Sequence, residues 1–260
     1  MDSNTPLLPV EAWQGPKVRL VLGKSAYGPI AEFEPAVAER AKPVAYIRLA
    51  SGQGGTGFLV APDLLLTNSH VFPTKAIAAS AQVWFNYEND AAGNPLPVEQ
   101  YGCDPDDFFC NSPYADTGLT PDTLDYTLVR VNRLLGAGAG PSVPGAAWGY
   151  LPILGYNPDT DRDSQITIIQ HPQQQPMMVG QGTKQIEFQD DLKLQYVTST
   201  DGGSSGSPVF NEFWHVIALH HAGVKLPASF GGGFGNEGVS ITAIREDLKK
   251  KLPKLKLPTK

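Results

Sequence analysis

Two cysteines in 260 residues, Cys103 and Cys110, cannot supply a four-ligand zinc site. Reduced thiols are the expectation for this pair, which stands in an acidic, proline-containing stretch, with a local disulfide as the alternative. Positive charge is short as well. Twenty Lys and Arg face 26 Asp and Glu, a formal net charge of -6, so the chain lacks the basic field that nucleic-acid binding requires. No apolar run approaches the length of a membrane span. The N-terminal stretch MDSNTPLLPVEAWQG has no basic region followed by a hydrophobic core, and the expected location is cytoplasmic, with a secreted mature form whose signal has been removed as the alternative. Internal repeats are absent. Neither disorder nor a coiled coil is expected from this composition.

Hydrophobic content, at 41%, is enough to bury a full core, and 27 glycines and 23 prolines are spread through the chain. That mixture suits many short strands joined by turns. Residues 1–40 read as an N-terminal extension that packs on a core formed elsewhere, with weak periodicity at Val18–Leu22 and Ala36–Ala41. Strands are predicted at Val44–Leu49, Thr56–Val60, Leu64–Val71 and Gln82–Tyr87. The polar segment Glu88–Thr123 is expected to be surface loop. Leu124–Val131 is strand again, with Asp125 among apolar neighbours; a carboxylate there needs a partner. Gly136–Gly149 reads as the connection between two halves. Further strands are predicted at Gln165–Gln170, Met177–Val179, Lys184–Phe188, Leu192–Val197, Val216–His220 and Val239–Ile241, with a glycine-rich loop at Gly231–Gly235. Thr242 can cap a closing helix whose apolar positions are Ile241, Ile244 and Leu248, stopped by Pro253, and Lys254–Lys260 reads as a frayed tail. The expected fold is all-β: two packed six-stranded Greek-key β-barrels, one at about 41–135 and one at about 150–241, with a C-terminal helix at about 242–252. Residues 41–260 then form one functional unit.

The stretch Thr198–Gly223, TSTDGGSSGSPVFNEFWHVIALHHAG, stands out. Gly-Gly-Ser-Ser-Gly-Ser-Pro lies between two apolar segments, so it is a tight turn between strands and not a linker. Its glycines let the backbone approach a carbonyl and aim amide hydrogens at it. Ser205 is the candidate nucleophile, with Ser204 and Ser207 as rivals by type.

His70 at a strand end, Asp125 in Leu-Asp-Tyr-Thr-Leu-Val and Ser205 in Gly-Ser-Ser-Gly-Ser-Pro occur in the order His, Asp, Ser. That order, with the serine late in the second half, resembles the chymotrypsin-like (trypsin-fold) serine peptidases from about Val44 to Leu248. Residues 55–71, GTGFLVAPDLLLTNSHV, are similar to the histidine block of bacterial members. Ile169-Gln170-His171-Pro172 and Ser205-Gly206-Ser207-Pro208-Val209-Phe210-Asn211 are similar to the bacterial glutamyl endopeptidases. Asn68-Ser69-His70-Val71 departs from the Ala-Ala-His-Cys of animal members, so the disulfide usual beside the histidine is absent.

The resemblance implies a trypsin-like fold and a peptidase acting on a protein or peptide substrate, without cofactor or metal. His70 would be the base, Asp125 its orienting carboxylate, Ser205 the nucleophile, and the N–H groups of Gly203 and Ser205 the oxyanion site. It also implies substrate binding by Ser199, six before the nucleophile, and by Thr200 and His220, which match the threonine and histidine that glutamyl endopeptidases use for an acidic side chain. Asp201 would repel a substrate carboxylate if it pointed inward. His171 is expected to be structural and His215 exposed beside Trp214. Two further readings stand beside the endopeptidase: regulated cleavage of one partner protein inside the cell, and a peptide-binding or scaffold protein that kept the fold and lost turnover.

Overall fold

The computed structural model describes residues 27–30, 35–135, 142–155, 165–181, 186–225 and 234–259. The apolar stretch Val18–Leu22 lies outside the described residues, as do parts of Lys184–Phe188, of the connection Gly136–Gly149 and of the loop Gly231–Gly235. The chain begins with β1 (Tyr27–Pro29) and α1 (Pro35–Ala41), then β2 (Val44–Arg48), β3 (Gly54–Ala61), β4 (Leu64–Thr67), α2 (Lys75–Ser80), β5 (Gln82–Phe85), β6 (Glu99–Cys103), β7 (Phe109–Ser112) and β8 (Tyr126–Leu134). After α3 (Gly145–Trp148) come β9 (Thr167–Gln170), β10 (Met178–Gln181), β11 (Ile186–Gln189), β12 (Lys193–Tyr196), β13 (Pro208–Phe210), β14 (Val216–Lys225), β15 (Phe234–Ser240) and α4 (Ile241–Lys251).

In the first half β4, β3, β2, β5, β6 and β8 pair in that order, and β8 returns to β4, closing a six-stranded antiparallel barrel. The second half repeats the cycle: β10, β9, β13, β14, β15 and β12 occupy the places of β3, β2, β5, β6, β8 and β4. Its ring is open between β10 and β12 among the described residues. There β1 pairs with β10 and β11 with β12, making an eight-stranded sheet.

Period-two alternation explains how short strands fill more than one core. Ala45, Ile47, Leu59, Leu65, Val129 and Val131 share the first barrel's interior cluster. Their chain neighbours Val44, Phe58, Val60, Leu66 and Leu128 belong to a second cluster with Ile169, Val179, Phe210, Leu219 and the Ile241, Ile244 and Leu248 face of α4. Ile168, Leu194, Tyr196, Val209 and Ile217 form a third. The shared cluster binds the two halves and the helix together. At about 25 cal/mol per Å² of apolar surface, each of its fully buried large side chains contributes on the order of 2 kcal/mol.

Three expectations are corrected. Glu88–Thr123 is not all surface loop: β6 and β7 pair with the C-terminal and N-terminal halves of one edge of β8. Cys103 and Cys110 lie on these strands as thiols, not joined in a disulfide, and are buried in different clusters. The cap of α4 is Ser240, whose hydroxyl accepts the Ala243 N–H, two residues before the expected Thr242. The tail is not frayed along its described part, because Leu255 and Leu257 pack against the shared cluster. The described part of the N-terminal extension packs there too, through Ile30 and Val37.

Candidate active site

Three turns meet between the halves. The first follows β4, where Asn68 O accepts the Val71 and Phe72 N–H groups and turns His70 outward. The second precedes β8 and carries Asp125. The third is the serine turn between β12 and β13. Thr56 on β3 pins it: its hydroxyl donates to Gly203 O at 2.8 Å and its N–H to Ser205 O at 2.8 Å. Thr56 is fully buried, and this role was not read from the sequence.

His70 Nδ1 lies 2.8 Å from Asp125 Oδ2, and the His70 backbone N–H donates to Oδ1 at 3.0 Å. Both carboxylate oxygens therefore hold one residue. Asp125 is inaccessible to solvent and takes a left-handed φ of 46°, a conformation that aspartate tolerates better than most residues. Asn68 Nδ2 donates to its carbonyl at 3.0 Å. Burial alone would raise the Asp125 carboxyl. The charge of His70 and hydrogen bonds from His221 and His70 outweigh it and hold the group at about 2.

In the serine turn Gly203 has φ 96°, and a Cβ there would stand 2.5 Å from His171 O. Only glycine fits. With both carbonyls taken by Thr56, the Gly203 and Ser205 N–H groups have no partner among the described residues. Two free amides two positions apart, with Ser204 between them, suit an anionic oxygen. Ser204 and Ser207 are fully buried, whereas Ser205 is partly exposed and lines a pocket of about 450 Å³, open mouth included. Among the described residues the Ser205 hydroxyl makes no hydrogen bond, to His70 or elsewhere. Hydrogen bonds of this type often tighten only on substrate binding.

Thr200, Asp201, His220, His221 and Asn236 share the pocket with Ser205. Ser199 does not: it is 8% exposed, and its backbone is tied inward, its carbonyl accepting Gln170 Nε2 at 2.9 Å. The Thr200 hydroxyl donates to Asn236 Oδ1 at 2.6 Å, so its proton is engaged. Asp201 accepts from Gln173 Nε2 and the Gly202 N–H. His220 Nδ1 lies 2.9 Å from Tyr196 Oη. Burial, then the charges of His221 and His70, push His220 down to about 3. That downward push favours a neutral His220 ring near neutral pH. His171 is buried, bonded to Gln175 O at 3.1 Å and stacked on Tyr87, and His215 is exposed.

Sequence reading also missed His221. In a regular strand, neighbours point to opposite faces. A register shift between His220 and Ala222 in the β14–β15 pairing lets both histidines reach the pocket. His221 Nδ1 is 3.2 Å from Asp125 Oδ2 and its Nε2 3.1 Å from Glu237 Oε1.

These histidines predict a stability profile. Burial pushes His171 down to about 4 and His220 to about 3. Their contribution is complete above the ordinary histidine value of about 6.5 and is lost as pH falls toward those values. For His221, burial is outweighed by hydrogen bonds and charge from Asp125 and Glu237, which push it up to about 9. Its contribution is complete below about 6.5 and is lost as pH rises through about 9. The melting temperature should peak near pH 6.5, and His171→Gln should flatten the acid slope. A melting temperature constant across both slopes would contradict this.

Residues 55–219 match the family model of the trypsin-like peptidase domain. An uncharacterized protein of Sinorhizobium fredii is 36% identical over 181 residues, covering 67% of this chain and 26% of that protein. A glutamyl endopeptidase of Staphylococcus aureus is 29% identical over 212 residues, covering 76% of this chain and 51% of that protein. The chain thus spans only part of the length of these curated relatives. A solved structure of Glu endopeptidase in complex with MPD matches with a TM-score of 0.62 at 20% identity, over 90% of this chain and 100% of that one, a likeness of fold.

Proposed function

Because the chain belongs to the trypsin-like peptidase domain family, we propose that it is a serine endopeptidase with Ser205 as nucleophile, His70 as base and Asp125 as the orienting carboxylate. The observation that carries this reading is the partly exposed Ser205, whose own amide and that of Gly203 are unpartnered among the described residues, on the same pocket wall as His221, a direct partner of the His70-bound Asp125. Attack forms a bond from Ser205 Oγ to the substrate carbonyl carbon while the hydroxyl proton passes to His70 Nε2. The carbonyl oxygen becomes anionic and takes the Gly203 and Ser205 N–H groups. The C–N bond then breaks, His70 returns the proton to the leaving amine, and water releases the acyl group by the same steps. Asp125 holds the proton of His70 on Nδ1, leaving Nε2 free to accept.

Acidic residues are the proposed side chains on the acyl side of the cleaved bond. If Tyr196 donates to His220 Nδ1, the proton of the neutral ring is on Nε2, which has no partner among the described residues and can donate to a carboxylate in the pocket. Recognition then depends on a neutral donor, and its strength should not fall as pH rises through the usual histidine range. Matched peptides with Glu, Gln, Lys or Phe at the cleavage position test this. Glu should be preferred, and His220→Ala should reduce kcat/KM for Glu by about 10- to 100-fold, the value of a hydrogen bond to a charged group, while sparing Gln. A preference for Lys or Phe would sink the acidic-pocket reading.

A further inference from the structure

The His221 ring is enclosed by two acids. Its side chain is 1% exposed, and the side chains of Asp125 and Glu237, one at each ring nitrogen, are both 0% exposed. A neutral imidazole has one N–H and one lone pair. Between two carboxylates it would set a lone pair against a lone pair on one side. Protonation of an acid is the other way out, and the surroundings oppose it. Glu237 Oε2 receives Gln195 Nε2 at 2.6 Å and lies 3.2 Å from Lys193 Nζ, while Asp125 is held by His70. A doubly protonated ring satisfies every contact. The row then reads Asp125, His221, Glu237 and the partly exposed Lys193 with alternating charge, so that no ion is left uncompensated.

We propose that His221 is a positioning residue of the hydrolytic site: a buried imidazolium that shares Asp125 Oδ2 with His70, fixes that carboxylate, and opposes a second positive charge on His70. This rests on the peptidase reading above. The two rings approach the same oxygen at 2.8 and 3.2 Å. General-base catalysis needs His70 neutral before attack, so a fixed cation across Asp125 extends the active form to lower pH. The groups that face His221 are Asp125 before β8, Glu237 on β15, neutral His220 on its own strand and His70 across the carboxylate. Lys193 on β12 acts through Glu237, and Asp201 stands on the pocket rim. Glu237 offsets part of the His221 charge from one residue further away, so the effect is a tuned one. The upward push on His221, against its burial, agrees with this geometry.

The test has two parts. The first is the acid limb of kcat/KM in H221N and in H221N/E237Q, the second of which removes the buried cation and its outer partner together. Both should move the limb to higher pH, by about one unit for loss of a charge at this range, and His221→Lys should return it toward the wild-type position. A limb coincident with that of the wild type would overturn the proposal. The second part is ¹⁵N NMR of the histidine-labelled wild type near neutral pH, where His221 should show two protonated ring nitrogens. One protonated and one bare nitrogen would overturn the proposal even if the variants fail to fold. The NMR result needs no turnover, so absence of hydrolysis by the wild type would count against the peptidase reading while His221 is still decided by its own spectrum.

Discussion

Ser205→Ala should lower peptide hydrolysis by about 10⁴-fold or more while leaving the melting temperature in place. The hydroxyl is partly exposed on the pocket wall and makes no hydrogen bond among the described residues. Its removal therefore takes away the attacking atom and no buried volume, and it strands no polar group. The turn itself is held by backbone contacts to Thr56 and by the glycines, all untouched. A residual rate above that in water should persist, because the free Gly203 and Ser205 amides remain to meet an anionic oxygen. Ser207→Ala is the matched control. Its hydroxyl is buried without a partner, so this substitution should preserve both activity and fold. Near-normal hydrolysis by Ser205→Ala, or a comparable loss in Ser207→Ala, would move the nucleophile elsewhere.

Asp125→Asn should reduce kcat by about 10⁴-fold, the size of the effect where such a carboxylate fixes its histidine. The reasons here are specific. Oδ1 accepts the His70 backbone N–H and Oδ2 faces both His70 and His221. An amide has one oxygen, so it can replace only part of this set, and an NH₂ turned toward His70 would force the proton from Nδ1 onto Nε2, the atom that must accept it from Ser205. Stability should fall as well, because a buried ion pair loses one member; such losses are about 3–5 kcal/mol. Steady-state rates with a Glu peptide and thermal melts measure the two effects. A loss below about tenfold would show that Asp125 does not set the tautomer of His70.

The strands that build the closed barrel were legible because they alternate or run apolar over several residues, as in Val44–Leu49 and Leu64–Thr67. His70, Asp125 and Ser205 could be picked out because each sits at a break in such a pattern: a polar step after a strand, an acid at the head of one, a glycine-rich turn between two. β6 and β7 were hidden by Asp104, Pro105, Asp106 and Asp107 between them and by partly exposed alternate residues such as Glu99, Gln100, Phe109 and Asn111. They are strands because β6 is paired between β5 and one half of β8 while the other half of β8 offers β7 an edge. Ser199 was reached by counting back from the nucleophile, and spacing along the chain says nothing about which way a backbone is tied. His221 was invisible for a similar reason. Period two assigns it to the face opposite His220, and the register shift that brings both to the pocket depends on pairing with β15. Thr56 looked like one more strand residue between glycines, and its work is done across the interface between the two halves.

The most direct test of the central claim is reaction of the wild-type protein with a fluorophosphonate probe, followed by mass spectrometry of the labelled peptide. Such a probe phosphonylates a serine, with loss of fluoride, only where a base takes the hydroxyl proton and donors meet the charge that develops on the phosphoryl oxygen. One label per chain is expected, on Ser205, absent in Ser205→Ala and strongly slowed in Asp125→Asn. A folded wild-type protein that takes no label, or one labelled on Ser204 or Ser207, would contradict the assignment, and the unlabelled case would leave a protein that binds peptides without cleaving them.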